Sequence, residues 1–251
     1  MEKTIITPLP KKNNSSSPYD FRPISILCPT SKILERIVFS HISKFLETNH
    51  SIPNCQHGFR KNKSVVTQLI ETNDDLSKAH KQKFSTDIIY FDLAKAFDKI
   101  PHARLISKLS SLGISGNILN WLKYYLSNRS YSVKVNTSYS KEYSIPNGVP
   151  QGTVGGPTLF IAYIADIIDF CNTEGVTIKL FADDLKIYFS SNSPINFNLP
   201  LQNFIYKFIN YCNLNGLQIA ATKCHVLHLG NKNPKLQYLL SNFVIPSFDS
   251  K

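Results

Sequence analysis

Ile178-Lys179-Leu180-Phe181-Ala182-Asp183-Asp184-Leu185-Lys186-Ile187-Tyr188 decides how this chain is read. Two apolar, β-prone runs flank an Ala-Asp-Asp step, a pattern that predicts a tight hairpin with adjacent carboxylates at its tip. Adjacent acids repel each other, and a β-turn requires neither. Their cost makes sense if a divalent cation neutralises them. A solvated turn is the other reading of an Asp-Asp pair taken alone, so the rest of the chain has to decide.

A second acidic strand lies upstream, Ile88-Ile89-Tyr90-Phe91-Asp92-Leu93-Ala94-Lys95-Ala96-Phe97-Asp98. Its apolar run predicts a buried strand with Asp92 where the chain leaves the core. A carboxylate there is costly unless it is paired or bound to metal. If the two strands are neighbours, Asp92, Asp183 and Asp184 form one cluster. Hard oxygen ligands of this kind suit Mg²⁺, which takes further ligands from substrate phosphates. Two such ions about 3.5–4 Å apart hold the attacking and leaving oxygens in phosphoryl transfer.

Phe91-Asp92-Leu93-Ala94-Lys95-Ala96-Phe97-Asp98, Gly148-Val149-Pro150-Gln151-Gly152 and Phe181-Ala182-Asp183-Asp184 resemble motifs A, B and C of reverse transcriptases, in order and in separation. The resemblance is greatest to the enzymes of non-LTR (LINE-type) retrotransposons, with group II intron maturases more distant. It covers residues 5–235. It implies an α+β fold with right-hand polymerase fingers and palm, the palm sheet antiparallel with helices packed on one face. Residues 1–85 are then fingers-like and 86–235 the palm, with part of the fingers inserted within 100–145. Residues 236–251 are a tail before the thumb, and the thumb and an endonuclease region are expected to lie outside this chain.

The implied activity is RNA-directed DNA synthesis with two Mg²⁺ ions, Mn²⁺ being the substitute, on an RNA template, a DNA primer and dNTPs. Asp92 and Asp183 are the implied bridging ligands, with Asp184 in a weaker third position. Lys223 falls where the family's motif D lysine protonates the leaving pyrophosphate; a solvent-facing lysine is the other reading. Gln151 and Gly152 would lie under the templating base and the nascent pair. Phe97 matches an aromatic gate beside the sugar 2′ position, or is core at a helix start. Asp98 is expected to cap or pair locally. Gln56-His57-Gly58-Phe59-Arg60 resembles the second fingers block, in which Arg60 reaches the triphosphate, a task suited to a guanidinium fork. Arg22, in the first block, meets nucleic acid or pairs with an acid. Lys11 and Lys12 stand near template or in a frayed terminus. Relatives carry a larger apolar residue where Gly155 stands, so the helix beginning there is expected to be loosened.

Composition agrees with this reading without establishing it. A formal charge of +11 over 251 residues favours polyanionic partners, nucleic acid first. The five cysteines form no CxxC and read as reduced intracellular thiols. Cys224, His225 and His228 lack a second close ligand pair for zinc, and the alternation over 225–229 predicts a strand. No apolar run reaches the roughly 18 residues that span a membrane, so a soluble protein of nucleus or cytoplasm is expected. Oligomeric state is left open.

Elsewhere the spacing predicts helices. One runs from Ser31 to Thr48, with Ile33, Leu34, Ile37, Val38, Ile42, Phe45 and Leu46 on one buried face. A second is capped by Ser64 and carries Val65, Val66, Leu69, Ile70 and Leu76. Others follow at 101–112, closed by Gly113, from Ser115 to Leu126, and at 201–211. Residues 130–145 predict a hairpin bearing Lys134 and Lys141, which touch phosphate or solubilise an edge. Two other functions compete with the polymerase. One is a remnant that binds RNA or DNA and extends nothing. The other is a maturase serving RNA folding, which calls for a downstream RNA-binding domain.

Overall fold

The computed structural model describes residues 2–10, 17–127, 129–195 and 197–248. Lys11 and Lys12 lie outside the described residues. In chain order the elements begin β1 (Glu2–Pro10), β2 (Phe21–Ile26), α1 (Pro29–Thr48), α2 (Val65–Lys81) and β3 (Ser85–Phe91). Next come α3 (Ala96–Lys99), α4 (His102–Ser111), α5 (Gly116–Leu126), β4 (Arg129–Val135), β5 (Ser138–Tyr139) and β6 (Tyr143–Ser144). The rest are α6 (Gly155–Tyr163), α7 (Ile167–Phe170), β7 (Thr177–Phe181), β8 (Asp184–Ser191), α8 (Leu199–Leu214), β9 (His225–Leu229), β10 (Leu239–Leu240) and β11 (Phe243–Val244). They divide into two compact units, Met1–Ser51 with Phe97–Tyr163, and Ile52–Ala96 with Ile164–Lys251.

The second unit is built on an antiparallel sheet of order β7-β8-β3-β9. Its β7–β8 register pairs Phe181 with Asp184, and β3 pairs Phe91 with Leu185. The hairpin and the acidic strand are therefore neighbours, as their sequences predict. β9 confirms the strand expected at 225–229. Alternation along β3 turns Ile89 and Phe91 toward one face. There α8 seals the core with fully buried Leu201, Phe204, Ile205 and Phe208, the last with its ring 5.0 Å from that of Phe91.

α2 reaches the opposite face, and most of its apolar residues are not the ones it buries. Val65, Val66, Leu69 and Ile70 are exposed, and the helix buries Gln68, Thr72 and Ala79. The strand surface beneath it supplies the reason. Lys179 and Lys186 oppose each other across β7–β8, and buried ammoniums require partners. Lys179 donates to Glu71 at 2.7 Å and Lys186 to Thr72 at 2.9 Å, while the Tyr188 hydroxyl donates to Asp75 at 2.5 Å. Burial and the neighbouring Lys179 push the Lys186 ammonium down, and the Lys179 hydrogen bond holds Glu71 at about 2. Ser64 does cap α2, in a reciprocal capping box with Thr67.

The first unit has a sheet of order β2-β1-β4-β5, with β6 also on β4, and packs α1, α4, α5 and α6 together. The predicted buried face of α1 is borne out at Ile42 and Leu46 and corrected at its other end. α1 buries Glu35, Phe39, Ile42 and Leu46, whereas Ile33, Leu34, Ile37 and Phe45 are exposed. The buried stripe is the one that fits its neighbours. The Phe39 ring packs edge-on against Trp121 and Tyr125, so the sole tryptophan is part of an aromatic core cluster. The helix at 102–111 ends before Gly113, whose φ of 93° suits glycine. No helix among the described residues is long and apolar enough to cross a membrane.

Candidate active site

The acidic cluster lies wholly within the second unit, at the end of its sheet. Asp92 follows the last residue of β3, Asp183 sits in the two-residue turn, and Asp184 opens β8. Loss of hydration around the turn raises the carboxyls of Asp183 and Asp184 above the ordinary range, the latter even though much of its surface is exposed. Asp92 raises both further, Asp184 also raises Asp183, and Lys223 opposes the shift in each. Three mutually repelling acids with a deficit of positive charge are what a cation site looks like before the cation is counted.

Lys223, from the segment that follows α8, supplies a positive charge that these carboxyls feel. Its ammonium lies 3.2 Å from each oxygen of Asp92. The approach is fixed by the backbone, because Ala94 N–H donates to Gln218 O at 2.7 Å and Ala220 N–H donates to Asp92 O at 2.8 Å. Residues 218–223 thus run beside the end of β3 and deliver the lysine. Among the described residues no three His, Cys, Asp or Glu side chains close into a preformed cage. The neighbouring strands place Asp92, Asp183 and Asp184 at one end of the sheet, with Asp92 turned onto the Lys223 ammonium. The side chains gathered here offer carboxylate oxygens, the donor type that suits a hard divalent ion, and an ammonium stands on one of them.

The turn itself has a holder that the sequence reading missed. Ala182 has φ of 55°, a left-handed conformation unusual for a residue with a Cβ. Gln56, only 1% exposed, accepts from Ala182 N–H at 2.9 Å and from Gly58 N–H at 2.8 Å, and its amide donates to Ala182 O at 3.4 Å. His57 N–H donates to Leu180 O at 2.8 Å, and Leu180 N–H donates to Cys55 O at 2.9 Å. Residues 55–58 therefore lie along β7 like a short extra strand. The signal available in the sequence was Gln56 itself, in a block where only the arginine was given a role. Arg60 donates to Pro53 O at 2.8 Å and to Gln56 O at 3.4 Å, which fastens the same loop.

The remaining predicted residues belong to the first unit. Gln151 donates its amide to Asp98 at 2.8 Å, so Asp98 does pair locally. Gly152 has φ of 84°, and a Cβ there would meet Ile24 at 2.9 Å, so the close approach this glycine permits is to β2. Phe97 is half-buried and stacks on buried Phe160 at 4.4 Å, and its carbonyl accepts from Val149 N–H. Arg22 is exposed on β2. α6 begins at Gly155, and the Phe39 ring fills the volume a side chain there would take, 2.0 Å from where a Cβ would stand. Glu35, 3% exposed, accepts from Val154 N–H at 2.8 Å and from the Tyr125 hydroxyl at 2.9 Å, tying this loop to α1 and α5.

The family described as "Reverse transcriptase (RNA-dependent DNA polymerase)" matches residues 9–242. A probable RNA-directed DNA polymerase from transposon BS of Drosophila melanogaster is 30% identical over 201 residues, covering 78% of this chain and 22% of the relative. An RNA-directed DNA polymerase from mobile element jockey of Drosophila funebris is 30% identical over 209 residues, covering 81% and 23%. This chain thus spans about a fifth to a quarter of the length of these curated relatives. Among solved structures, apo telomerase from Candida tropicalis, truncated from its C-terminal domain, superposes with a TM-score of 0.67 at 14% identity. That match covers 94% of this chain and 52% of the telomerase, and supports the fold. The motif order, the acidic end of the antiparallel sheet and the match over residues 9–242 place the chain in the reverse transcriptase (RNA-dependent DNA polymerase) family, beside the enzymes of non-LTR retrotransposons.

Proposed function

We propose that this chain carries the catalytic centre of an RNA-directed DNA polymerase that copies retrotransposon RNA. The observation that supports the proposal is the placement of Asp92, Asp183 and Asp184 at one sheet end, with the Lys223 ammonium against Asp92. In this reading the four-stranded sheet is the palm, flanked in sequence by a fingers-like region over 1–85 and a tail over 236–251.

Asp92 and Asp183 would hold two Mg²⁺ ions, or Mn²⁺, with Asp184 assisting. Bound there, such ions act as Lewis acids on the primer hydroxyl and the triphosphate. In the reaction the primer 3′ oxygen forms a bond to the α-phosphorus of a dNTP. The bond from that phosphorus to the bridging oxygen breaks, and pyrophosphate leaves. The hydroxyl proton passes to solvent, and the Lys223 ammonium donates a proton to the leaving group, which charge-balances the departure. Arg60 is assigned to the triphosphate, Gln151 and Gly152 to the templating base and nascent pair, and Phe97 to the sugar. Lys11, Lys12 and Arg22 are assigned to nucleic-acid phosphates, for which the net charge of +11 is the supporting feature.

Primer extension on an RNA template with dNTPs and Mg²⁺ tests this reading. Wild type extends and Asp183→Asn does not. If neither extends while both bind template at low salt, the chain is a nucleic-acid-binding module of polymerase descent.

A further inference from the structure

We propose that Gln56 is the positioning residue of the acidic turn, its buried amide fixing the backbone from which Asp183 and Asp184 project. The inference rests on the assignment of those acids as cation ligands. Its geometric part stands without that assignment.

The turn sequence does not specify its own shape. A two-residue hairpin loop needs positive φ at its first position when only that position is left-handed, and glycine is the residue suited to it. Here that position is Ala182, at φ of 55°. An L-residue with a Cβ is disfavoured there, so the conformation must be held from outside. Gln56 holds it at both ends of one residue, accepting from Ala182 N–H and donating to Ala182 O. A primary amide does both because its donor and acceptor sit on separate atoms in one plane. Its oxygen is also fixed by Gly58 N–H at 2.8 Å. Gly58 allows the approach, since a Cβ on it would lie 2.3 Å from Ala182 N.

The loop that presents Gln56 is itself fastened. Arg60 donates to the carbonyls of Pro53 and Gln56, Lys63 donates to Asn54 O at 3.1 Å, and His57 is sandwiched between Thr67 at 2.9 Å and Glu71 at 3.2 Å. An amide grips the turn without adding a charge beside Asp183 and Asp184.

The second unit contains its own control. Gln202 on α8 makes the same two-sided grip on Leu239, accepting from its N–H and donating to its O, each at 2.9 Å. The test compares full-length wild type, Gln56→Met and Gln202→Met, each of which keeps side-chain length and loses the amide. Three readouts are taken: amide hydrogen exchange over residues 180–185, Mn²⁺ affinity by electron paramagnetic resonance, and single-nucleotide extension split into kcat and primer–template KM. Both variants lower Tm. Gln56→Met alone accelerates exchange across 180–185 and weakens Mn²⁺ at least tenfold. It lowers kcat at least tenfold with KM unchanged. Unchanged exchange at 180–185 in Gln56→Met, or equal losses of Mn²⁺ affinity in both variants, overturns the proposal. If wild type binds Mn²⁺ but extends nothing, the polymerase reading fails while exchange and Mn²⁺ affinity still decide the role of Gln56.

Discussion

The acidic hairpin of the second unit and the glycine-rich loop of the first are each held by one buried polar side chain, yet the two holders differ in charge. Gln56 grips Ala182 with a neutral amide, and Glu35 grips Val154 with a carboxylate. The surroundings explain the choice. Glu35 accepts from the Tyr125 hydroxyl as well as from Val154 N–H, so both of its oxygens have donors. At the hairpin a further carboxylate would add to the repulsion among Asp92, Asp183 and Asp184. The turn that carries two carboxyls is held by an amide, and the glycine-rich loop by a glutamate.

Both turns also use a glycine as a seat, and this gives the largest effects. At Gly58 an added methyl meets backbone, with Ala182 N 2.3 Å away, and backbone cannot step aside. Gly58→Ala should cost about 3 kcal/mol or more, the upper end of overpacking, seen as a lower chemical-denaturation midpoint together with lost extension. At Gly155 the obstacle is the Phe39 ring, 2.0 Å away and 2% exposed. Gly155→Ala should cost about 1–3 kcal/mol, and Phe39→Leu in the same chain should recover part of it. A Phe39→Leu that worsens Gly155→Ala would break the claim that the ring replaces the missing side chain.

Changing the holder of the glycine-rich loop comes next in size. Glu35→Ala strands Val154 N–H and the Tyr125 hydroxyl and should cost about 1–3 kcal/mol. Glu35→Gln should cost much less, because an amide oxygen can accept from Val154 N–H while its nitrogen donates to the hydroxyl. Equal losses would show that charge, and not hydrogen bonding, is what Glu35 contributes.

The smallest effects are pH-dependent. The raised carboxyls of Asp183 and Asp184 make the fold favour their protonated forms. Stability from this source is complete below the ordinary carboxylate range and is lost as pH rises through the raised values. Asp183→Asn should therefore raise the Tm of the metal-free chain near neutral pH and leave it unchanged at about pH 3. Glu71 acts in the other direction. Held at about 2 against an ordinary 4.5, it lends stability above 4.5 that is lost as pH falls toward 2. Glu71→Gln should flatten that acid limb of a Tm–pH profile.

The elements and the acidic cluster were legible because they depend on local pattern. Apolar runs revealed β3 and β8 and alternation revealed β9, Ser64 announced α2, and the spacing of Asp92 from Asp183 and Asp184 matched a known order. The faces of α1 and α2 were not fully legible, because periodicity reports which residues are apolar and not what they meet. α2 turns a polar stripe inward since two strand lysines, Lys179 and Lys186, lie beneath it. α1 turns Glu35 inward for a backbone N–H more than a hundred residues away in sequence. Gln56 was overlooked for the same reason: its partner is the backbone of Ala182, and backbone partners leave no trace in side-chain pattern. Nothing in the pattern around Gly155 showed that the Phe39 ring takes the space beside it.

The claim beneath all of this is that Asp92, Asp183 and Asp184 form a divalent-cation site, and thermal unfolding against Mg²⁺ concentration tests it most directly. A ligand that binds only the folded chain, at about 100 times its Kd, adds about 2.7 kcal/mol, equivalent to about 5–10 °C for a protein of this size. The account predicts that wild type gains stability of this order with saturating Mg²⁺, and that Asp183→Asn/Asp184→Asn gains none. An equal rise in both, or no rise in wild type, would contradict it.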